Sequence, residues 1–99
     1  MRPIHLASLD KIRPVVVLTR ETVRPFLSRV TVATITTSRR GLTVEIPVGR
    51  ANGLDHDSVI SCDNVTTILV TDLGEQIGFL LPSQEHALTE ALSAAFDLE

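Results

Sequence analysis

Up to about position 81 the chain is punctuated into short runs in which apolar and polar residues alternate; beyond it, apolar residues recur at three- and four-residue spacing. The first pattern lays side chains on the two faces of a strand, and the second builds a stripe along a helix. Residues 4–9 alternate weakly and predict a first strand, joined through a tight Asp10–Lys11 connection to a second over Ile12 to Thr19. Within the second, Pro14 through Leu18 is apolar enough to be buried on both faces. Pro25 limits any helix in Glu21–Ser28 to a turn or two. Val30 to Thr37 alternates with heavy β-branching, the clearest strand in the chain. Ser38-Arg39-Arg40-Gly41 reads as a turn, and Leu42 to Val48 as a strand ended by Pro47–Gly49. Those two strands predict a hairpin with Arg39 and Arg40 near its tip.

Residues 50–57 are loop by composition, Val59–Cys62 and Thr66–Val70 read as two short strands, and Ile77–Leu81 as another. Pro82–Ser83 opens the one helix, with Ser83 as N-cap and Glu85 in the first turn. Its core-facing stripe is Ala87, Leu88, Ala91, Leu92, Ala95 and Phe96. Many short strands followed by one terminal helix predict a mainly β fold. The expected form is a strongly bent antiparallel sheet or partly closed barrel with the C-terminal helix packed on it.

Composition narrows the function classes. With 99 residues, 43% hydrophobic and 21% charged, residues 1–99 suffice for one core and are too few for two. No apolar run approaches the roughly 20 residues that span a bilayer. The stretch MRPIHLASLDK lacks an apolar segment of the kind a signal peptide needs, so a cytoplasmic protein is expected. One cysteine, Cys62, excludes an internal disulfide and a Cys-rich zinc site. His5, His56 and His86 are scattered, and Asp55-His56-Asp57 reads as a solvated loop rather than a cation site; no metal and no cofactor are expected. Neither phosphate-binding glycine motif is present, and nothing suggests acyl transfer. With no Trp or Tyr and only Phe26, Phe79 and Phe96, the chain is short of rings for base-stacking nucleic-acid modules.

Charge changes the picture. All nine Lys and Arg lie in residues 1–50 with three acids (+6), and the other half has nine acids and no Lys or Arg (−9). The split gives the fold one positive face, fit for an anion, or the two signs mix once it folds. Arg13 stands directly against the apolar run of the second strand, a solvated strand end or a group held for an anion. Thr36, Thr37 and Ser38 lead into Arg39 and Arg40. Guanidinium with hydroxyl is what a metal-free enzyme would set on a phosphodiester, forking onto non-bridging oxygens and stabilising transition-state charge.

Three blocks in order, R-P-V-V-V-L-T, then T-V-A-T-I-T-T-S-R-R-G-L-T-V-E-I, then D-S-V-I-S-C-D-N, resemble the MazF/PemK (Kid) family of toxin endoribonucleases. With D-L-G-E-Q-I-G-F-L and the helix, the resemblance runs from Ile4 to Leu98. It implies a small SH3-like β-barrel of the CcdB/PemK type with a C-terminal helix, usually a homodimer. It also implies metal-independent cleavage of single-stranded RNA (messenger, transfer or ribosomal) at short sequences. The RNA 2′-OH attacks and leaves a 2′,3′-cyclic phosphate and a 5′-OH. A cognate antitoxin lying across the same groove would hold the toxin inactive. On this resemblance Arg13 is the catalytic arginine and Thr36 the catalytic threonine. An arginine pKa above about 12 makes it a poor general base at neutral pH, so Arg13 is assigned to charge stabilisation.

Asp63 matches the acid some members use there, and with Asn64 is a candidate for catalysis or base reading. Arg20, Thr37, Ser38, Arg39 and Arg40 are candidates for RNA backbone contacts, which position rather than specify. Two departures stand out. Ser61 occupies the place of a catalytic arginine in the Kid-like branch, and the glycine-containing loop of about ten residues that relatives carry between the first two strands is reduced here to residues 9–12. The competing readings are a CcdB-like poison of a topoisomerase, which relies on a C-terminal Trp-Gly-Ile where this chain ends Phe-Asp-Leu-Glu, and an SH3-like binding module, for which the rings are lacking.

Overall fold

A computed structural model describes residues 2–41 and 44–97. Its order is β1 (Pro3–Ser8), β2 (Ile12–Val17), β3 (Arg29–Thr36), β4 (Glu45–Val48), β5 (Ser58–Leu69), β6 (Leu73–Phe79) and α1 (Pro82–Ala95), with short 3-10 turns at Arg24–Phe26, Arg50–Asn52 and Val70–Asp72. The six strands form one sheet in the order β4-β5-β3-β2-β1-β6, every pair antiparallel. Among the described residues the outer strands β4 and β6 do not pair, so the sheet is open.

The expected β3–β4 hairpin does not form. β4 and the end of β3 both pair with the first half of β5, so that Ser61 faces Thr34 on one side and Glu45 on the other. The start of the expected fourth strand, Leu42 and Thr43, lies outside the described residues; the strand itself begins at Glu45. The two strands expected at 59–62 and 66–70 are one, β5, interrupted in register. Ala33 pairs with Val65 but Thr34 with Ser61, so Cys62, Asp63 and Asn64 are extra residues bulging from β5. A bulge bends its strand and re-aims its side chains, and bulges gather near active sites. β6 also starts earlier than the sequence suggested, its Gly74-Glu75-Gln76 being the exposed part of an edge strand.

Alternation sorts the apolar side chains onto two faces. On one face Ile4, Val16, Ala33, Ile35, Ile60 and Leu80 make the main core with Leu88 and Ala91 of α1; on the other Ala7, Val15, Val17, Val30, Val32 and Ile68 make a smaller one. Each fully buried side chain of this size contributes roughly 1.5–3 kcal/mol. Helix α1 packs on β4 and β5. It begins at Pro82, the position that favours a residue without an N–H. Leu81 rather than Ser83 is its N-cap, and Gln84 Oε1 accepts the Leu81 N–H at 2.9 Å. Ala87, Leu92 and Ala95 pack on the core as the stripe predicted, but Phe96, just past the last turn, is 52% exposed.

The loop after β4 is clamped onto β6. Gly53 sits at φ 86°, and a Cβ there would meet the Ile77 carbonyl oxygen at 1.9 Å; one on Gly78 would meet the Asn52 carbonyl oxygen equally closely, at 1.9 Å. Only glycine allows the two backbones this approach. Beneath it, fully buried Asn52 donates to the Phe79 carbonyl at 2.9 Å, accepts the Gly49 N–H at 3.1 Å, and exchanges hydrogen bonds with Gln84.

Candidate active site

β2 and β3 pair with Val15 opposite Thr34, Val16 opposite Ala33 and Val17 opposite Val32; two residues further, the same register sets Arg13 level with Thr36. Strand alternation keeps both on the face of Val15 and Thr34. The charged residue at the head of an apolar strand and the last threonine of its neighbour therefore meet at one end of the sheet. Thr36 Oγ1 accepts the Ser38 N–H at 3.1 Å, which shapes the exit from β3.

Arg13 is held from the β1–β2 turn. Ser8 pairs with Ile12, so only residues 9–11 make the turn, and the Leu9 N–H donates to the Lys11 carbonyl at 3.0 Å. This places Asp10 against Arg13, whose Nε donates to Oδ1 at 2.9 Å and whose Nη2 donates to Oδ2 at 3.1 Å. The two-point hydrogen bond from Arg13 holds the Asp10 carboxyl down to about 2, and the same contact raises Arg13 above the ordinary arginine value. Both groups stay charged at every working pH. The pair engages two donors of the guanidinium fork and leaves the others for a ligand.

A groove of about 670 Å³ runs past this pair, lined also by Asp10, Ser38, Arg40, Ser61, Asp63 and Asn64. The β5 bulge brings the last two to its wall, both exposed. Glu45 closes another side, its carboxylate accepting the Arg40 N–H at 3.0 Å and the Gly41 N–H at 2.9 Å. A second cleft of about 470 Å³ also includes Arg13 and Thr36, together with Thr37, Asp55 and His56 and apolar Leu6, Pro14 and Ile77. The reacting pair stands where the two clefts meet.

Of the sequence candidates, Arg13, Thr36, Ser38, Arg40, Asp63 and Asn64 are brought together on the groove, and Thr37 lies on the second cleft. Arg39 is exposed and lines neither. Arg20 lies apart, in a cleft of about 310 Å³ with Arg2 and Arg24. Ser61 does line the groove; among the described residues the second arginine on its wall is Arg40, from the β3–β4 connection. The charge halves interleave, because β5 and β6 pair with β3 and β1. The groove accordingly presents Arg13 and Arg40 beside Asp10, Glu45 and Asp63, not a uniformly positive face. Asp10 and Glu45 were not singled out by sequence reasoning. An acid three residues before Arg13 across a tight turn was the available signal for the first.

Cys62 points inward from the bulge, fully buried, and burial together with the neighbouring Asp63 charge pushes its thiol up to about 11. Among the described residues no three of His, Cys, Asp or Glu gather as metal ligands, and no helix is long and apolar enough to cross a membrane.

A profile of the family described as PemK-like, MazF-like toxin of type II toxin–antitoxin system matches residues 4–96. The chain belongs to this family. It is 65% identical over 99 residues to endoribonuclease MazF3 of Mycobacterium tuberculosis, covering all of this chain and 96% of that one. A solved structure, Mycobacterium tuberculosis toxin MazF-mt6, superposes with a TM-score of 0.97 at 64% identity over 99% of both chains. A mycobacterial endoribonuclease in complex with its cognate antitoxin shares the fold at TM-score 0.88 and 21% identity, over 98% of this chain and 93% of that one. In this PemK/MazF-like chain the motif arginine and threonine are therefore the two residues that the β2–β3 register aligns.

Proposed function

We propose that this chain is the toxin of a type II toxin–antitoxin pair and a metal-independent endoribonuclease that cuts single-stranded RNA at short sequences, arresting translation. The observation that carries the reading is Arg13 level with Thr36 at the junction of two clefts, one polar groove and one partly apolar. A phosphodiester laid there receives the free donors of Arg13 on its non-bridging oxygens and the Thr36 hydroxyl on one of them. The RNA 2′-oxygen attacks phosphorus, the bond to the 5′-oxygen breaks, and the 5′-oxygen takes up a proton, giving a 2′,3′-cyclic phosphate and a 5′-OH. Donors fixed before the reaction stabilise the added charge without reorganising. Arg13 and Asp10 lock each other in their charged forms and are unsuited to carry the proton. Glu45 is taken up by backbone N–H groups. Asp63 on the bulge is the proton acceptor in this reading, with Asn64 beside it for a base edge.

The bent open sheet corresponds to the family's SH3-like barrel, residues 1–99 act as one domain, and the protein works in the cytoplasm as a homodimer. A cognate antitoxin covers the groove; because the wall mixes signs, its segment must offer an acidic group to Arg13 and Arg40 rather than uniform negative charge. Family membership sets the topoisomerase-poison and SH3-module alternatives aside.

The test is cleavage of mixed single-stranded RNA with EDTA present. Site-specific cuts bearing 5′-OH ends, absent with Arg13→Ala and Thr36→Ala, are expected. Cutting that EDTA abolishes, or that survives both substitutions, would reject the assignment.

A further inference from the structure

We propose that the cleft lined by Ile12, Pro14, Leu54, Asp55 and His56 is a subsite for the base of one nucleotide next to the cleaved bond. The proposal rests on the ribonuclease reading above. Arg13 and Thr36 belong to this cleft as well as to the groove, so a phosphate held between them has one neighbouring nucleotide on each side. The groove wall on one side is polar, with Ser38, Asp63, Asn64 and Thr66, and suits ribose and backbone. The other cleft is different in kind. Its walls are Leu6, Ile12, Pro14, Leu54 and Ile77, and Ile12 is 70% exposed despite its size. An apolar slot with a few polar groups at its rim is how proteins accept a flat heterocycle.

His56 strengthens the assignment. All three phenylalanines lie outside both clefts, and among the described residues His56 is the one aromatic ring that lines either. An imidazole can stack on any base, and single-stranded RNA is read by stacking plus hydrogen bonds to the exposed edge. Asp55 supplies an acceptor for an N–H of that edge, and Lys11 a donor at the mouth toward the phosphate. The wall that carries Asp55 and His56 is fixed: Gly53 and Gly78 press backbone to backbone, and Asn52 ties the loop to β6. The glycine clamp thus holds a recognition wall at a set distance from the reacting pair.

The test sequences the cut ends from a randomised single-stranded RNA library for the wild type, His56→Ala, Ile12→Ser and Arg13→Ala. Both subsite positions are exposed, so the variants fold, which a melting curve checks. For His56→Ala and Ile12→Ser the expected result is a relaxed preference at one position adjoining the cut, with cleavage of the preferred sequence slowed roughly tenfold. A wild type that cuts while both variants keep its sequence preference and rate overturns the subsite alone. So does a uniform slowing with the preference unchanged, which would mark a structural effect. A wild type that cuts nothing overturns the nuclease reading and the subsite with it.

Discussion

Two hydrogen-bonded regions of this molecule are built on opposite principles. Around the groove every side-chain bond is local and exposed: Asp10 to Arg13 three residues apart, Thr36 to Ser38 two apart, Glu45 to the backbone at Arg40 and Gly41. Beneath the glycine clamp the bonds are buried and long-range, Asn52 and Gln84 lying 32 residues apart and reaching Phe79 and Pro47. Exposed local pairs add little to stability, because water and salt compete with them. Buried amides make their bonds where no water replaces them, and losing one strands its partners. The groove is thus arranged to hold charge in place, and the clamp to hold the fold.

The largest effect that separates the two is expected at Arg13. Arg13→Ala should lower the cleavage rate roughly 10²- to 10³-fold, the loss found when one preorganised donor is removed. Its stability should move by less than about 0.5 kcal/mol, as for exposed positions. Asn52→Ala should do the reverse. It unpairs the Gly49 N–H, the Phe79 carbonyl and Gln84, costing about 2 kcal/mol, or roughly 10 °C in Tm for a domain of this size. Activity below the new Tm should stay within a few-fold apart from any loss of sequence preference. Parallel melting curves and initial rates check both, and the comparison breaks if Arg13→Ala melts early or Asn52→Ala is as inactive as Arg13→Ala.

The same contrast explains what could be read from the sequence. Local periodicity revealed β1, β2, β3 and the helix, and the motif arginine and threonine, because each is written within a few residues. The pairing of β4 with β5 instead of β3 depends on residues sixteen apart in the tightest pair, Glu45 with Ser61, which alternation cannot encode. β5 looked like two strands because Asp63 and Asn64 break its apolar pattern, and those residues are the bulge that reaches the groove. Asn52 passed as loop composition although it is 1% exposed, since nothing local marks a polar residue as buried. The charge halves suggested a positive face that sheet pairing dissolves.

A smaller effect tests whether Asp10 positions Arg13 or touches RNA. Asp10→Asn keeps the shape and loses the charge, so the fork loosens and kcat should fall roughly tenfold. KM should not rise, because a negative charge leaves the groove; a raised KM would make Asp10 an RNA contact. The sign of the pH dependence follows from a carboxyl held at about 2 by Arg13 against an ordinary 3.8. The pair is complete above 3.8 and is lost only as pH falls through about 2. Wild-type and Asp10→Asn rate profiles should therefore run parallel from weakly acidic to weakly basic pH. Profiles that diverge there would mean that Asp10 titrates in the reaction.

The smallest expected effect lies one residue from the groove wall. Asp63 is exposed and Cys62 fully buried, neighbours turned opposite ways by the bulge. A thiol pushed up to about 11 carries almost no thiolate at pH 8 and is shielded as well. The native protein should resist an aromatic disulfide reagent at pH 8 and release one equivalent only on denaturation. Because labelling requires the bulge to open, its rate reports how firmly β5 supports Asp63. Slow labelling that accelerates in Asn52→Ala only in step with global unfolding keeps the groove wall part of the rigid core. Rapid labelling in the native wild type would mean that the wall opens locally, and the division between a yielding groove and a firm clamp would then run through the middle of β5.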